Sequence, residues 1–214
     1  MAAADDPDAQ TPRTYPLTGR FRLAPAPAGL RLAQDLVNTS LAEPLTGTRR
    51  DLLADPDDAR AWLAEALELW SAATGQQTPQ ATVSADDLPA LRDLRERLRA
   101  ALRASSDNAE PPGPAGADGT AFTAQLEVAL APDGQVAYGP QNVDGRAVTA
   151  LVTAEALLAQ ATGTWTRLKT CAHAPCGACF YDASPNRSRA WHDTKTCGNI
   201  NNLRASRTRR RADA

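Results

Sequence analysis

Aromatic residues are scarce in this 214-residue chain: Phe, Trp and Tyr together make up 5% of it, so a core must be filled largely by aliphatic side chains and alanine. Nowhere do 18 apolar residues run together, which excludes a transmembrane helix. The first eleven residues, MAAADDPDAQT, carry acids where a signal peptide needs a basic start and an apolar stretch. A cytoplasmic protein with no membrane partner is therefore expected. No glycine-rich phosphate-binding pattern and no internal repeat is present. Only two histidines occur, both inside one short segment, so no Ser/His/Asp set can form elsewhere. Carboxylates such as Asp35 and Glu43 are the only conceivable catalysts in the remainder, and nothing in the sequence singles them out. An enzyme is the less favoured class. What the chain does have, 43% hydrophobic and 22% charged residues, is close to globular composition and excludes wholesale disorder.

The net charge of −2 conceals an asymmetry. From Thr164 to Ala214 ten bases face three acids, giving +7, whereas the first 163 residues carry −9. An acidic body joined to a basic tail suggests that the two parts meet different partners. All but two of the 23 bases are arginine.

Local patterns divide the chain. Residues 1–16 are polar and proline-rich, and disorder is expected there. Leu30 to Val37 is apolar enough for a short strand or the start of a helix. Asp55-Pro56-Asp57-Asp58 reads as a turn and N-cap. Beyond it Ala59, Trp62, Leu63, Ala66, Leu67 and Trp70 recur at helical spacing, and Gly75 is placed to stop that helix. Ser84-x-x-Asp87 resembles a capping box. It precedes a helix with Leu88, Leu91, Leu94, Leu98 and Leu102 on one face, and Arg92, Arg95, Arg97, Arg99 and Arg103 are expected on a solvated face. A Pro/Gly-rich linker covers about 106–121. Alternation from Thr123 to Leu130, a turn at Pro132-Asp133-Gly134 and a return strand over Gln135 to Tyr138 predict a β-hairpin. A third helix is expected over Val148 to Trp165. The fold class is mainly α with a small β component (α+β): a helical domain over 17–163 containing the hairpin, then a small finger with a basic tail over 164–214. The expected core includes Trp62, Leu63, Leu67, Leu91, Leu94, Leu98, Leu126, Val128 and Leu151.

All four cysteines and both histidines lie between Cys171 and Cys197. Four residues separate Cys171 from Cys176, four separate His192 from Cys197, and fifteen lie between the pairs. Two local pairs are how a chain presents four tetrahedral ligands to zinc. Glycine follows both Cys176 and Cys197, where it would let the backbone turn tightly. One structural zinc per chain on Cys171, Cys176, His192 and Cys197 is the favoured reading. Cys179 in place of His192 would give four sulfurs, and Cys171-x4-Cys176-x2-Cys179 with a distant Cys197 also fits a plant-type [2Fe–2S] spacing. Idle thiols are the bland alternative. His173 is expected to face solvent.

The motifs Cys171-x4-Cys176, Phe180-x-Asp182-x-Ser184, Asn186-Arg187-Ser188-Arg189, Trp191 and Cys197-Gly198-Asn199 resemble the CGNR zinc finger. Asp35-x-Val37-Asn38-Thr39, Asp51-Leu52-Leu53 and the Trp62-Leu63 helix are similar to the ABATE domain that usually precedes it in bacterial proteins. The resemblance implies four cysteine ligands, of which His192 replaces the third, directly after the Trp. It also implies an arginine at the position that Ile200 occupies. It points to a stress-induced transcription regulator. Arg187, Arg189, Arg204, Arg207, Arg209, Arg210 and Arg211 would then meet double-stranded DNA, and the acidic body would hold a small-molecule ligand or a homodimer interface. The rival reading is a small-molecule-binding protein or small biosynthetic enzyme whose zinc is purely structural.

Overall fold

The computed structural model describes residues 18–19, 21–42, 49–106 and 123–212. The expected disordered start, Glu43 and, apart from Ser106, the expected linker lie outside those residues. About half of the described residues are helical, and the rest include three two-stranded antiparallel sheets, an α+β architecture.

The helix α1 (Leu30–Asn38) resolves the ambiguity left by its apolar sequence, and eight of its nine residues are buried. Its apolar residues 30, 32, 33, 36 and 37 share one helical face and its polar residues 31, 34, 35 and 38 the other, but the segment is only nine residues long and its polar side is buried too, at Gln34, Asp35 and Asn38. A short hairpin, β1 (Ser40–Ala42) with β2 (Arg49–Asp51), follows directly. The next helix, α2 (Pro56–Thr74), starts where Asp55 accepts the N–H groups of Asp57 and Asp58 at 2.8 and 3.2 Å. It stops at Gly75, whose φ of +71° suits glycine. The Ser84/Asp87 capping box is present and leads through a single 3₁₀ turn into α3 (Leu88–Ser106). Strands β3 (Leu126–Leu130) and β4 (Val136–Pro140) form the expected hairpin around Gly134, with Leu130 opposite Val136. The last long helix, α4 (Gly145–Ala161), begins earlier than its apolar pattern because Asp144 caps it, and ends before Gly163, whose φ is +69°. Strands β5 (Leu168–Thr170) and β6 (Cys179–Tyr181) pair beyond it, and α5 (Asn199–Ala212) closes the described chain.

One core cluster runs through these elements. Its centre is α1, which touches α2, α3 and α4 as well as β6. Trp62, Leu63, Leu67, Leu91, Leu94 and Leu151 are buried as expected. Leu98 and Leu126 are half-buried. Val128, by contrast, is 64% exposed, and Leu130 and Val136 are exposed with it. Alternation identified the strand, but burial is confined to its base, at Leu126 and at positions 138–140, and among the described residues nothing covers the tip.

The arginines of α3 require a second correction. Arg95 and Arg99, expected in solvent, are 4% and 5% exposed. Arg95 grips both oxygens of Asp51 at 2.6 and 2.9 Å and donates to Thr39 Oγ1 at 3.1 Å. Arg99 donates to both Glu96 oxygens, each at 2.7 Å, and to the carbonyls of Val37 and Ser40 at 2.8 and 3.0 Å. A cation at the carbonyl end of α1 offsets acceptors that lack intrahelical donors and complements the helix dipole. The period-3.6 pattern does not distinguish such a buried cap from a surface charge.

The core also continues past residue 163, where a domain boundary was expected. Leu168, Cys171, Cys176, Ala178, Cys179, Phe180 and Cys197 belong to the same cluster as α1 to α4.

Candidate metal centre

The centre is built from two local turns. Strand β5 delivers Cys171, whose N–H continues the ladder by donating to the Ala178 carbonyl at 2.8 Å. The His173 carbonyl then accepts the N–H groups of Cys176 and Gly177 at 2.9 and 3.3 Å. Gly177, at φ +63°, turns the chain back into β6. The second pair is presented differently. Asp193 accepts the Lys195 N–H at 2.9 Å and the Thr196 hydroxyl at 3.1 Å, starting a single π turn (Thr194–Gly198) that carries Cys197 and runs into α5. Gly198 has no special φ. A methyl group there would lie 3.2 Å from Thr194 Cγ2 and 3.4 Å from the Trp191 ring, so close packing is the reason for this second glycine, not a tight turn.

Cys171, Cys176, His192 and Cys197 are all buried, and one donor atom from each lies within 4.8 Å of the others. Nδ1 of His192 lies 3.4 Å from Sγ of Cys176. The donor–donor edges of a tetrahedral zinc shell with ordinary bond lengths are about 3.3–3.8 Å, so the His192–Cys176 edge already has that length and the other donors are near enough to close on a single ion. None of the four cysteines is in a disulfide. Their proton chemistry agrees. A hydrogen bond from Cys176 holds the Cys171 thiol down at about 4, and the same bond, with burial, pushes Cys176 upward. Burial and then the Cys171 charge push Cys197 up to about 12. Three neighbouring thiolates repel one another, and a dication is what allows them to coexist. Three thiolates and a neutral imidazole fit one structural zinc, with no ligand position left for catalysis.

Cys179 stands outside this set. It lies in β6 opposite Thr170 and is completely buried, and burial followed by the nearby Asp35 carboxyl pushes its thiol well up. The four-sulfur set and the [2Fe–2S] spacing both lose the ligand they need. Its peptide group instead docks the finger to the body: the Cys179 N–H donates to Asn38 Oδ1 at 2.8 Å, and Asn38 Nδ2 donates to the Cys179 carbonyl at 3.0 Å. Gln34 Nε2 reaches that carbonyl at 3.4 Å. His173 is also corrected. It is 1% exposed, and its Nδ1 pairs with Asn201 Nδ2 at 3.2 Å, linking the first knuckle to α5.

Asp182 organises the loop between the pairs. Its fully buried carboxylate accepts Lys169 Nζ at 2.8 Å, the Ser184 hydroxyl at 2.6 Å and the Arg189 N–H at 3.0 Å. Burial alone would raise its pKa, but these donors hold it well below the usual carboxylate range. Arg187 and Arg189 are exposed on this loop. Arg189 donates to the His192 carbonyl at 2.5 Å and lies over Phe180 at 5.3 Å, while Arg187 reaches Thr166 Oγ1 at 3.3 Å. Arg204 is exposed on α5, and positions 207, 209, 210 and 211 follow it on that helix. Asp35 is buried in α1 and accepts a hydrogen bond from Thr18 at 2.6 Å.

A buried Cys₃His cluster carried on a β-knuckle and a helical turn defines a zinc finger. Residues 167–210 match the family model of the CGNR zinc finger. No curated protein matches the chain. Among the described residues no helix is long and apolar enough to cross a membrane.

Proposed function

We propose that this protein is a DNA-binding transcriptional regulator in the cytoplasm, in which the zinc finger presents a basic helix and the acidic body, with its resemblance to the ABATE domain, senses a ligand or forms a homodimer. The observation that carries the reading is the direct junction between the metal centre and α5. Cys197 leads without a linker into a helix bearing Arg204, Arg207, Arg209, Arg210 and Arg211. Positions 204, 207 and 211 fall on one helical face. Zinc, held by Cys171, Cys176, His192 and Cys197, supplies cross-linking there and no reaction. Arg187 and Arg189 are partly engaged by the finger itself, so phosphate contact falls first to α5. Ile200, in place of the motif arginine, removes one charge from this surface.

The reading is tested by fluorescence anisotropy on a random duplex at two salt concentrations. Replacing Arg207, Arg209, Arg210 and Arg211 with Ala should weaken binding and flatten the log–log salt slope by about three units. Equal affinity of the two proteins would remove the DNA reading and leave the small-molecule binder or enzyme. A cavity in the body supports ligand binding in either case.

A further inference from the structure

Glu155 stands in the middle of α4 and is 3% exposed. Trp70 Nε1 and the Tyr138 hydroxyl both donate to the same oxygen, Oε1, at 2.7 and 2.6 Å. The other oxygen, Oε2, receives no hydrogen bond among the described residues, and no cationic side chain there pairs with the group; the positive end nearest to it is the N-terminus of α1, whose cap residue Gly29 lies against the carboxyl. The helix end offsets part of the cost of burying a carboxylate, and Oε2 is left without a donor.

What lies next to it is space. A cleft of about 400 Å³ opens over Glu155 and is walled by Leu30, Ala73, Leu158 and Ala159, with Tyr138 at one side. That volume is within the range of small-molecule sites. The hydroxyls at the rim are already committed: Thr74 to the Trp70 carbonyl, and Thr162 and Thr164 to carbonyls at the end of α4. They offer a ligand little, and those carbonyls make the rim electronegative. Gly29 leaves room for the carboxyl. A Cβ on Gly29 would fall 2.0–2.2 Å from its three atoms, so no side chain can stand there.

From a mostly apolar cleft with one buried, half-partnered carboxylate at its base, we infer that the body binds a small organic ammonium ion, its N–H donating to Glu155 Oε2 and its hydrocarbon part lying against Leu30 and Leu158. Neutral alcohols would leave the charge uncompensated, and carboxylates would be repelled. The inference rests on the body acting as a ligand module, and it specifies the chemistry of that ligand. Its site is separate from the DNA surface, so either can fail alone.

Isothermal titration of the zinc-loaded full chain with n-butylamine and benzylamine tests it, with n-butanol and butyrate as controls. Saturable one-to-one binding of at least one amine at millimolar concentration is expected, with neither control binding. Glu155→Gln keeps an oxygen for Trp70 and Tyr138 but removes the charge, and should weaken amine binding roughly tenfold or more, the scale of one charged hydrogen bond. Should that variant fold poorly, Ala73→Phe fills the half-exposed wall with Glu155 intact and should abolish binding at unchanged melting temperature. Absence of amine binding, equal binding of n-butanol, or undiminished amine affinity in a folded variant would each overturn the proposal.

Discussion

A thiol adjacent to a metal cluster need not be a ligand, and Cys179 shows what separates the two. Its sulfur is buried in the shared core while its peptide group faces Asn38. Cys179→Ala should therefore retain one zinc per chain by metal analysis and lose only about 1 kcal/mol of stability from the vacated volume, whereas Cys176→Ala should lose the metal. Asp35 makes the complementary point for charge. Burial raises its pKa well above the ordinary value, with the Thr18 hydrogen bond and the Arg31 charge opposing this only in part. A carboxyl whose folded pKa is raised contributes stability below its unfolded value near 4, and this is lost as pH rises through the folded value. Asp35→Asn, which keeps an acceptor for Thr18, should accordingly raise the melting temperature at pH 8 and have little effect near pH 4. An equal gain at both pH values would show that the carboxyl is not being forced into its neutral form. Asp182 has the opposite sign: its lowered pKa gives stability above about pH 4 that acid removes.

The elements differ in how much of themselves the sequence displays. Helices α2 and α3 were readable because their caps, Asp55 and Ser84/Asp87, and their leucine spacing agree. The metal ligands were readable because ligand spacing is a local property of the chain. The helix α1 was legible only in part: its apolar and polar residues separate onto two faces, but nothing local shows that the polar face is buried as well, because its partners are distant in sequence. Asn38 and Gln34 hydrogen-bond residue 179, and Arg99 caps a helix some sixty residues earlier. No local pattern encodes such pairings, although buried polar groups inside an apolar run are a faint sign of them. The β3–β4 hairpin misled in the opposite direction, because alternation without a covering face gives a strand but no burial. Val128→Thr and Leu130→Thr should each shift stability by no more than about 0.5 kcal/mol in urea titrations. A loss of 2 kcal/mol or more would mean that the hairpin tip is covered in solution.

At the scale of the whole molecule, one cluster of buried residues spans finger and body, so the two are expected to unfold together. Asn38→Ala leaves the N–H and the carbonyl of Cys179 buried without their main partner. It should cost about 2–5 kcal/mol in a urea titration, although Asn38 touches no metal ligand through its side chain. A chain ending at residue 163 would expose the faces of α1 and α3 that β5 and β6 cover. It should lack a cooperative unfolding transition and the near-ultraviolet signal of packed aromatics. A sharp transition from residues 1–163 alone would show the body to be self-sufficient. The docking of α1 also sets a schedule for biosynthesis. Asn38 and Cys179 are 141 residues apart. At ordinary elongation rates of about 5–20 residues per second the second partner is made roughly 7–28 s after the first. Throughout that interval the nascent helix has neither its amide partner nor its β6 covering, and a segment made much later completes the centre of one made early.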